Sequence, residues 1–460
     1  MAGQFATRKR RRKSTGFVIP IMMIVVALLV MAMVAGYYVL DGATPSTQLQ
    51  EQPGSSAPGT TPTTQPTQPS VVKLNTATIG ATGDLLLHDR VISSGYNSAD
   101  GTYNYDNFFT YFAAYASKVD YAVANLEVTL CGTDNGYKYA GYPCFNSPDA
   151  IVDAAKKAGF DMLLTANNHS FDTRSTGFFR TQQVVADRGL DHIGTRENVS
   201  DKTYVIKEIN GIKIGMICYT YNTGVAEDGS VSLNGIPLTA QASALINSYT
   251  YEDLDSFYGK LSGEVAAMRT EGAEAIMLYI HWGDEYHIEA NSTQKEMSQA
   301  LCDMGIEVIV GNHAHVPQPV ELLTNSKDES KKTLCLYSTG NAISNIRRGP
   351  SYPEESEDGM LFTVTFAKYS DGTVIVESAD ILPTWVDRYD VNGKYQYRIL
   401  TLENSKRDQW QTDMSLSDAI LLECEASYDR TMAIVGEGLE ESNAYFTENQ
   451  ALIEKNLGIG

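Results

Sequence analysis

At 460 residues, with 43% hydrophobic and 10% aromatic content, the chain has room for two to three domains, or one large one with appendages. The formal net charge is −21, and because all six residues from Arg8 to Lys13 are basic, about −27 is left for everything after them. So acidic a body argues against nucleic acid as a partner, since phosphate backbones need basic surfaces.

Residues 1–16 form a basic segment, and residues 17–40 contain no charged residue. As a helix this apolar run would span roughly 36 Å, enough to cross a bilayer core of about 30 Å. Directly after a basic run it reads as a single-pass, positive-inside anchor in the cell membrane, with the C-terminal domain extracytoplasmic. A cleaved signal peptide is the competing reading. The run, however, exceeds the roughly 7–15 residues of a signal h-region, and no A-x-A pattern follows it closely. Residues 41–73 are rich in Pro, Thr, Ser and Gln and cannot bury a core, which predicts a disordered linker.

A folded domain is expected over 74–388, followed by an acidic, partly helical C-terminal extension over 389–460. Apolar patterning predicts strands at Thr76–Gly83, Tyr121–Leu126, Met162–Ala166, Tyr204–Glu208, Lys213–Tyr219, Ala275–Ile280, Ile306–Val310 and Thr333–Tyr337. Helical patterns at Phe108–Lys118, Ala150–Ala158, Thr176–Arg188, Tyr251–Thr270 and Gln294–Met304 alternate with them, which argues an α/β domain with buried strands. Asp371-Gly372 signals a hairpin between Leu361–Lys368 and Thr373–Ala379 that closes the same domain. The tail from about Ser415 is helical, with Ser415 and Asp418 at capping-box spacing, and is either a small packing appendage or a separate interaction element. Cys131 and Cys144 flank a loop-like segment and are candidates for a disulfide outside the cell, whereas Cys218, Cys302 and Cys335 lie in apolar contexts as buried thiols.

The chemistry-bearing residues fall where predicted strands end, which is where open α/β sheets bind ligands. Those ends carry Gly83-Asp84, Asn125-Leu126-Glu127, Asn167-Asn168-His169, His281-Trp282-Gly283 and Gly311-Asn-His-Ala-His315. In extended backbone, residues i and i+2 point the same way, so His313 and His315 are expected to share a face. Asp84 and Glu127 offer carboxylates, Asn168 an amide oxygen, and His281, His313 and His315 imidazoles. A mixed oxygen and nitrogen set of this size suits one or two divalent ions, of Mn, Fe, Zn or Mg type, bridged by a carboxylate.

This set resembles the CapA/PgsA proteins of bacterial poly-γ-glutamate capsule synthesis, which look like a branch of the calcineurin-like metallophosphoesterases. Tyr337-Ser-Thr-Gly-Asn341 is similar to that family's Ser-Leu-Gly-Asn element, and Pro319-Val-Glu321 to its Pro-Val-Glu. The resemblance implies a metallophosphoesterase-like β-sandwich flanked by helices, with an external domain behind a membrane anchor. It places Glu127 as the bridging carboxylate, Asn168, His281 and His313 around one metal, and Asp84 and His315 at the other. His169 takes the position that protonates a leaving oxygen, with Asp172 orienting it; the competing reading is a polar turn that caps the next helix. Two departures stand out: Asp84 is followed by Leu85-Leu86 where the phosphoesterases carry Asp-x-His, and Glu127 stands where they have Asp.

Arg90, Asn341 and Arg347 are candidate substrate contacts, against surface ion pairing for Arg90 and plain solvation for Arg347. The expected function is synthesis, release or export of an anionic polymer such as poly-γ-glutamate, in company with a membrane polymer synthase complex. The alternatives are a metal-dependent phosphoesterase acting on an external phosphate ester, and a non-catalytic polymer-binding module.

Overall fold

The computed structural model describes residues 71–456; the expected anchor at 17–40 and most of the linker lie outside the described residues. Among the described residues no helix is long and apolar enough to cross a membrane.

The chain opens with four parallel strands: β1 (Lys73–Leu85), β2 (Tyr121–Asn125), β3 (Met162–Leu164) and β4 (Asp191–Ile193). It crosses to a second sheet with β5 (Tyr204–Ile209) and β6 (Ile212–Tyr221), then forms a small three-stranded flap from β7 (Gly224–Val225), β8 (Val231–Leu233) and β9 (Ile236–Pro237). β10 (Ser248–Tyr249), β11 (Ala275–His281), β12 (Val308–Asn312), β13 (Val320–Thr324) and β14 (Lys332–Leu336) complete the second sheet. β15 (Asn341–Ile343), β16 (Asp358–Tyr369), β17 (Val374–Val391) and β18 (Lys394–Thr401) return to the first. The first sheet runs β18-β17-β16-β1-β2-β3-β4, with β15 beside the end of β1. The second runs β10-β6-β11-β12-β14-β13, with β5 on β6.

Strand alternation decides how the sheets stack. In β11, Ala275, Met277 and Tyr279 enter the same core as Tyr121 and Val123 of β2, while Ile276, Leu278 and Ile280 face outward onto Phe257, Leu261, Met297 and Leu301. Ala122 and Ala124 of β2 likewise turn outward, toward Phe109, Val152 and Val185. Period-two burial on both faces of both sheets yields a β-sandwich flanked by helices, Ala150–Ala158 and Arg174–Asp187 on one side and Leu254–Thr270 and Ser292–Asp303 on the other. The expected helix over Phe108–Lys118 is broken into a 3₁₀ turn at Asp106–Phe109 and a short helix at Ala113–Ala116. Phe108, Phe109 and Phe112 are all buried in an aromatic cluster with Phe160, and that packing overrides a regular helix.

The C-terminal region differs most from expectation. The boundary at 388/389 falls inside β17, which runs on to Val391 and turns through Asn392-Gly393 into β18. Helix Asp418–Asn456 is capped by Ser417, whose Oγ accepts the Ile420 N–H at 3.4 Å; Ser415 instead sits at φ +52° before the helix. This helix is part of the sandwich. Val435, Leu439 and Phe446 enter the inter-sheet core, Asn443 makes two hydrogen bonds to the Ala379 backbone (2.9 and 2.8 Å), and Arg430 holds buried Asp358 at 2.9 and 2.8 Å. Cys131 and Cys144 are free thiols, one buried and one exposed, so the expected disulfide is not formed; Cys218, Cys302 and Cys335 are buried as expected.

Candidate metal centre

The carboxyl ends of β1, β2 and β3 in one sheet and of β6, β11 and β12 in the other bring every expected ligand to one rim of the sandwich. Gly83 lets β1 run against the β14–β15 connection, since a Cβ there would lie 1.8 Å from the Gly340 carbonyl oxygen. That approach sets Asp84 beside Asn341 and Asn125 in register.

Two groups of ligand atoms result, each drawn together within 4.8 Å: Glu127, His281 and His313, and Asp84, Glu127 and His315. Glu127 belongs to both. His281 Nε2 lies 3.4 Å from Glu127 Oε1, 3.1 Å from His313 Nδ1 and 2.8 Å from Asn168 Oδ1. On the other side His315 Nδ1 is 3.2 Å from Asp84 Oδ2. All five side chains are buried, and both Glu127 oxygens lack a hydrogen-bond partner among the described residues. A buried carboxylate with no donor is costly unless a cation takes its place. The donor set therefore fits divalent metal, with Asn168 added to the His281–His313 half.

Electrostatics divide the set: Asp84, His281 and His313 are held in the form that ligates metal, whereas Glu127 and His315 would each give up a proton to do so. Burial, and then the adjacent Asp84 charge, push Glu127 well above the usual carboxylate range. Burial would raise Asp84 too, but the bond and charge of His315, with help from Asn125, hold it below its ordinary value. Burial opposes protonation of His315, yet Asp84 outweighs it and raises this imidazole. His281 is brought down to about 3 and His313 well below its usual value, chiefly by burial. Neutral imidazoles are the form that ligates metal.

The histidine pair is not built as an alternating strand. β12 ends at Asn312, and His313 and His315 stand at φ +99° and +57°, in the left-handed region that residues with a Cβ avoid. The backbone twist, rather than extended alternation, aims both rings inward. Tyr221 Oη, 3.0 Å from His313 Nε2, fixes one ring. Asn341 fixes the other, its Oδ1 lying 3.0 Å from His315 Nδ1 and its Nδ2 donating to the His315 carbonyl at 3.0 Å.

Beside the ligands, His169 Nδ1 lies 2.7 Å from Asp172 Oδ2, which also accepts the Phe145 N–H at 2.7 Å. Asn234, at the tip of the β8–β9 flap, reaches both neighbours: its Nδ2 is 3.1 Å from His169 Nδ1, and its Oδ1 accepts from Asn168 Nδ2 at 3.2 Å. Sequence patterning had not placed Asn234 or Tyr221 here, although Asn234-Gly235 is an Asn-Gly hairpin signal.

Of the three candidate substrate contacts, Asn341 is the one that touches the ligand groups. Asn341 is spent on His315. Arg347 donates to the Val386 carbonyl at 2.6 Å and pairs with Glu357 at 3.4 Å, turned away from the centre. Arg90 is exposed and lies over the Tyr395 ring. His88 joins neither ligand group; its Nδ1 accepts the Asn345 N–H at 3.3 Å, and burial with the nearby charge of His315 brings it down to about 4.

The family described as "Bacterial capsule synthesis protein PGA_cap" matches residues 78–346, more than half the chain. The chain belongs to this family. All six expected ligands of the PGA_cap domain, and Asn341, fall inside the match, while β16 to β18 and the C-terminal helix lie beyond it. Among curated relatives, the capsule biosynthesis protein CapA of Bacillus anthracis is 26% identical over 324 residues, covering 67% of this chain and 70% of that one. The PGA biosynthesis protein CapA of Bacillus subtilis (strain 168) is 27% identical over 241 residues, covering 52% and 57%. The crystal structure of the calcineurin-like phosphoesterase YfkN from Bacillus subtilis superposes with a TM-score of 0.36 at 14% identity, covering 68% of this chain and 91% of that chain, too distant to assign chemistry.

Proposed function

We propose that this PGA_cap protein acts in capsule biosynthesis as a metal-dependent hydrolytic module on an anionic polymer of the poly-γ-glutamate kind, outside the membrane to which residues 17–40 anchor it. A polymer synthase in the same membrane is the partner this placement suits. The observation that carries the reading is the shared position of Glu127 between two groups of metal-type ligands. The two relatives, a capsule biosynthesis protein and a PGA biosynthesis protein, suggest the process and the polymer.

When bound, divalent metal would supply an activated water and charge stabilisation at the reacting centre. Asn168, His281 and His313 would hold one ion with Glu127, and Asp84 and His315 a second. His169 is placed to carry a proton at its Nε2, with Asp172 setting ring orientation through Nδ1. The same dyad favours a second reading, a phosphoesterase acting on an external phosphate ester.

Metal analysis of the purified full-length chain, joined to hydrolysis assays on poly-γ-glutamate and on a panel of phosphate esters, tests this. Wild type is expected to hold one or two divalent ions and to cleave the polymer. His169→Ala is expected to keep its metal and lose about 100-fold in rate. Protein without divalent metal sinks the reading, and cleavage confined to phosphate esters replaces it with the second.

A stability experiment follows from Glu127. Its folded-state pKa lies above the unfolded value of about 4.5, so the folded protein holds that proton more tightly. Metal-free stability from this group is therefore full below that value and is lost as pH rises through the folded pKa. Ligation needs the ionised form, so metal stabilises more as pH rises. Chelation is expected to lower Tm more at pH 8 than at pH 5; equal shifts would count against Glu127 as a ligand.

A further inference from the structure

Most arginines of the described residues are neutralised by carboxylates, as Arg180 is by Asp149, Arg269 by Glu307 and Arg398 by Asp387. Arg90 and Arg388 form no ion pair among the described residues. Both instead lie over one ring, that of Tyr395, at 5.0 and 4.7 Å from its centroid. Tyr395 is 38% exposed, Arg90 is exposed and Arg388 half-buried, so the group is open to solvent. Two guanidinium groups are thus held at one exposed ring by cation–π attraction of about 0.5–1 kcal/mol each, with no carboxylate to neutralise either. An external anion at this ring would supply the missing counter-charge.

A connected path leads from this group to the metal centre. Arg388 Nη1 donates to Asn345 Oδ1 at 3.1 Å, and the Tyr397 hydroxyl donates to the same oxygen at 2.6 Å. The Asn345 N–H donates to His88 Nδ1, the His88 ring meets Phe145 edge to face at 5.2 Å, and Phe145 meets His169 the same way at 4.7 Å. The arginines are thus linked to His169 through Asn345, His88 and Phe145, none of which is exposed. A ligand touching both places would have to pass over these three intervening residues, which suits a chain of repeating units.

We infer that Arg90 and Arg388, with Tyr395, form a carboxylate subsite that holds an anionic polymer chain at a distance from the bond presented to the metal centre. This rests on the reading that the substrate is such a polymer. Guanidinium forks accept carboxylate and phosphate alike, so the test separates the two.

Binding of fluorescein-labelled poly-γ-glutamate to the full-length chain is measured by anisotropy, with polyphosphate as competitor, for wild type, R90Q/R388Q, H281A and R407Q. Arg407 is an exposed arginine paired with Asp429 and serves as the charge control. R90Q/R388Q is expected to bind the polymer about tenfold more weakly, with a shallower salt dependence and unchanged metal content, while R407Q matches wild type. H281A is expected to lose metal yet keep the arginine-dependent part of binding. The subsite is overturned if R90Q/R388Q binds like wild type, if R407Q falls equally, if wild type does not bind poly-γ-glutamate, or if polyphosphate is the preferred ligand lost in the double variant. Arginine-dependent binding in wild type that holds no metal would sink the hydrolytic reading and leave the subsite standing.

Discussion

Glu127→Gln is expected to empty both halves of the centre at once. Glu127 is the one residue common to the two ligand groups, and both of its oxygens are buried without another partner. An amide of the same shape can offer one neutral oxygen where two anionic ones are required, so metal content should fall to background and hydrolysis by at least about 100-fold. Loss of folding would mimic this, and metal-free stability separates the two. With the buried charge gone, metal-free Glu127→Gln should melt no lower than metal-free wild type. His315→Ala touches only the half containing Asp84, and should retain the ion held by Glu127, His281, His313 and Asn168. Retention of full metal content by Glu127→Gln would remove the shared carboxylate from the argument.

The second large effect is at Gly438, in the helix that closes the sandwich. A Cβ there would lie 1.9 Å from the Val320 carbonyl oxygen, and because that atom is backbone, no rotamer change can relieve the clash. Gly438→Ala should therefore push the helix off β13 and cost about 3 kcal/mol in urea unfolding. Gly436, two residues earlier and so on the opposite side of the helix, would place its Cβ no nearer than 3.6 Å, to the flexible end of Met432. Gly436→Ala should gain up to about 1 kcal/mol from helix propensity alone. Opposite signs at two glycines two residues apart would show that the tail is part of the fold rather than an appendage; equal signs would refute that.

The gathering of the candidate ligands at one rim was legible because strand ends are readable from apolar runs, and because the polar residues after those runs come in an order that few sequences carry by chance. The division of His313 and His315 between two ligand groups also follows the resemblance. What was misread has local causes. The pair's shared direction comes from positive φ, which no hydropathy pattern reveals. The boundary at 388/389 ignored Asn392-Gly393, although the same dipeptide turns β5 into β6 at Asn210-Gly211 and β8 into β9 at Asn234-Gly235, with positive φ at every position. Counting those three Asn-Gly signals as two-residue hairpins would have added β18 to the first sheet and placed the flap. Arg347 was assigned by its nearness in sequence to Asn341, but its partner Glu357 ends a 3₁₀ turn, Glu354–Glu357, whose position depends on tertiary packing.

The left-handed backbone at His313 and His315 makes this segment a place where stability and chemistry select opposite residues. Each position costs about 1–3 kcal/mol of strain that glycine would relieve, since glycine adopts such φ values freely. A library screened for heat resistance in the presence of a chelator would accordingly enrich Gly or Asn at 313 and 315, and the survivors would be better folded without metal and inert. Consensus or stability-guided engineering of this protein should leave Gly311 to Val316 untouched, and thermostable variants should be accepted only after their metal content has been counted.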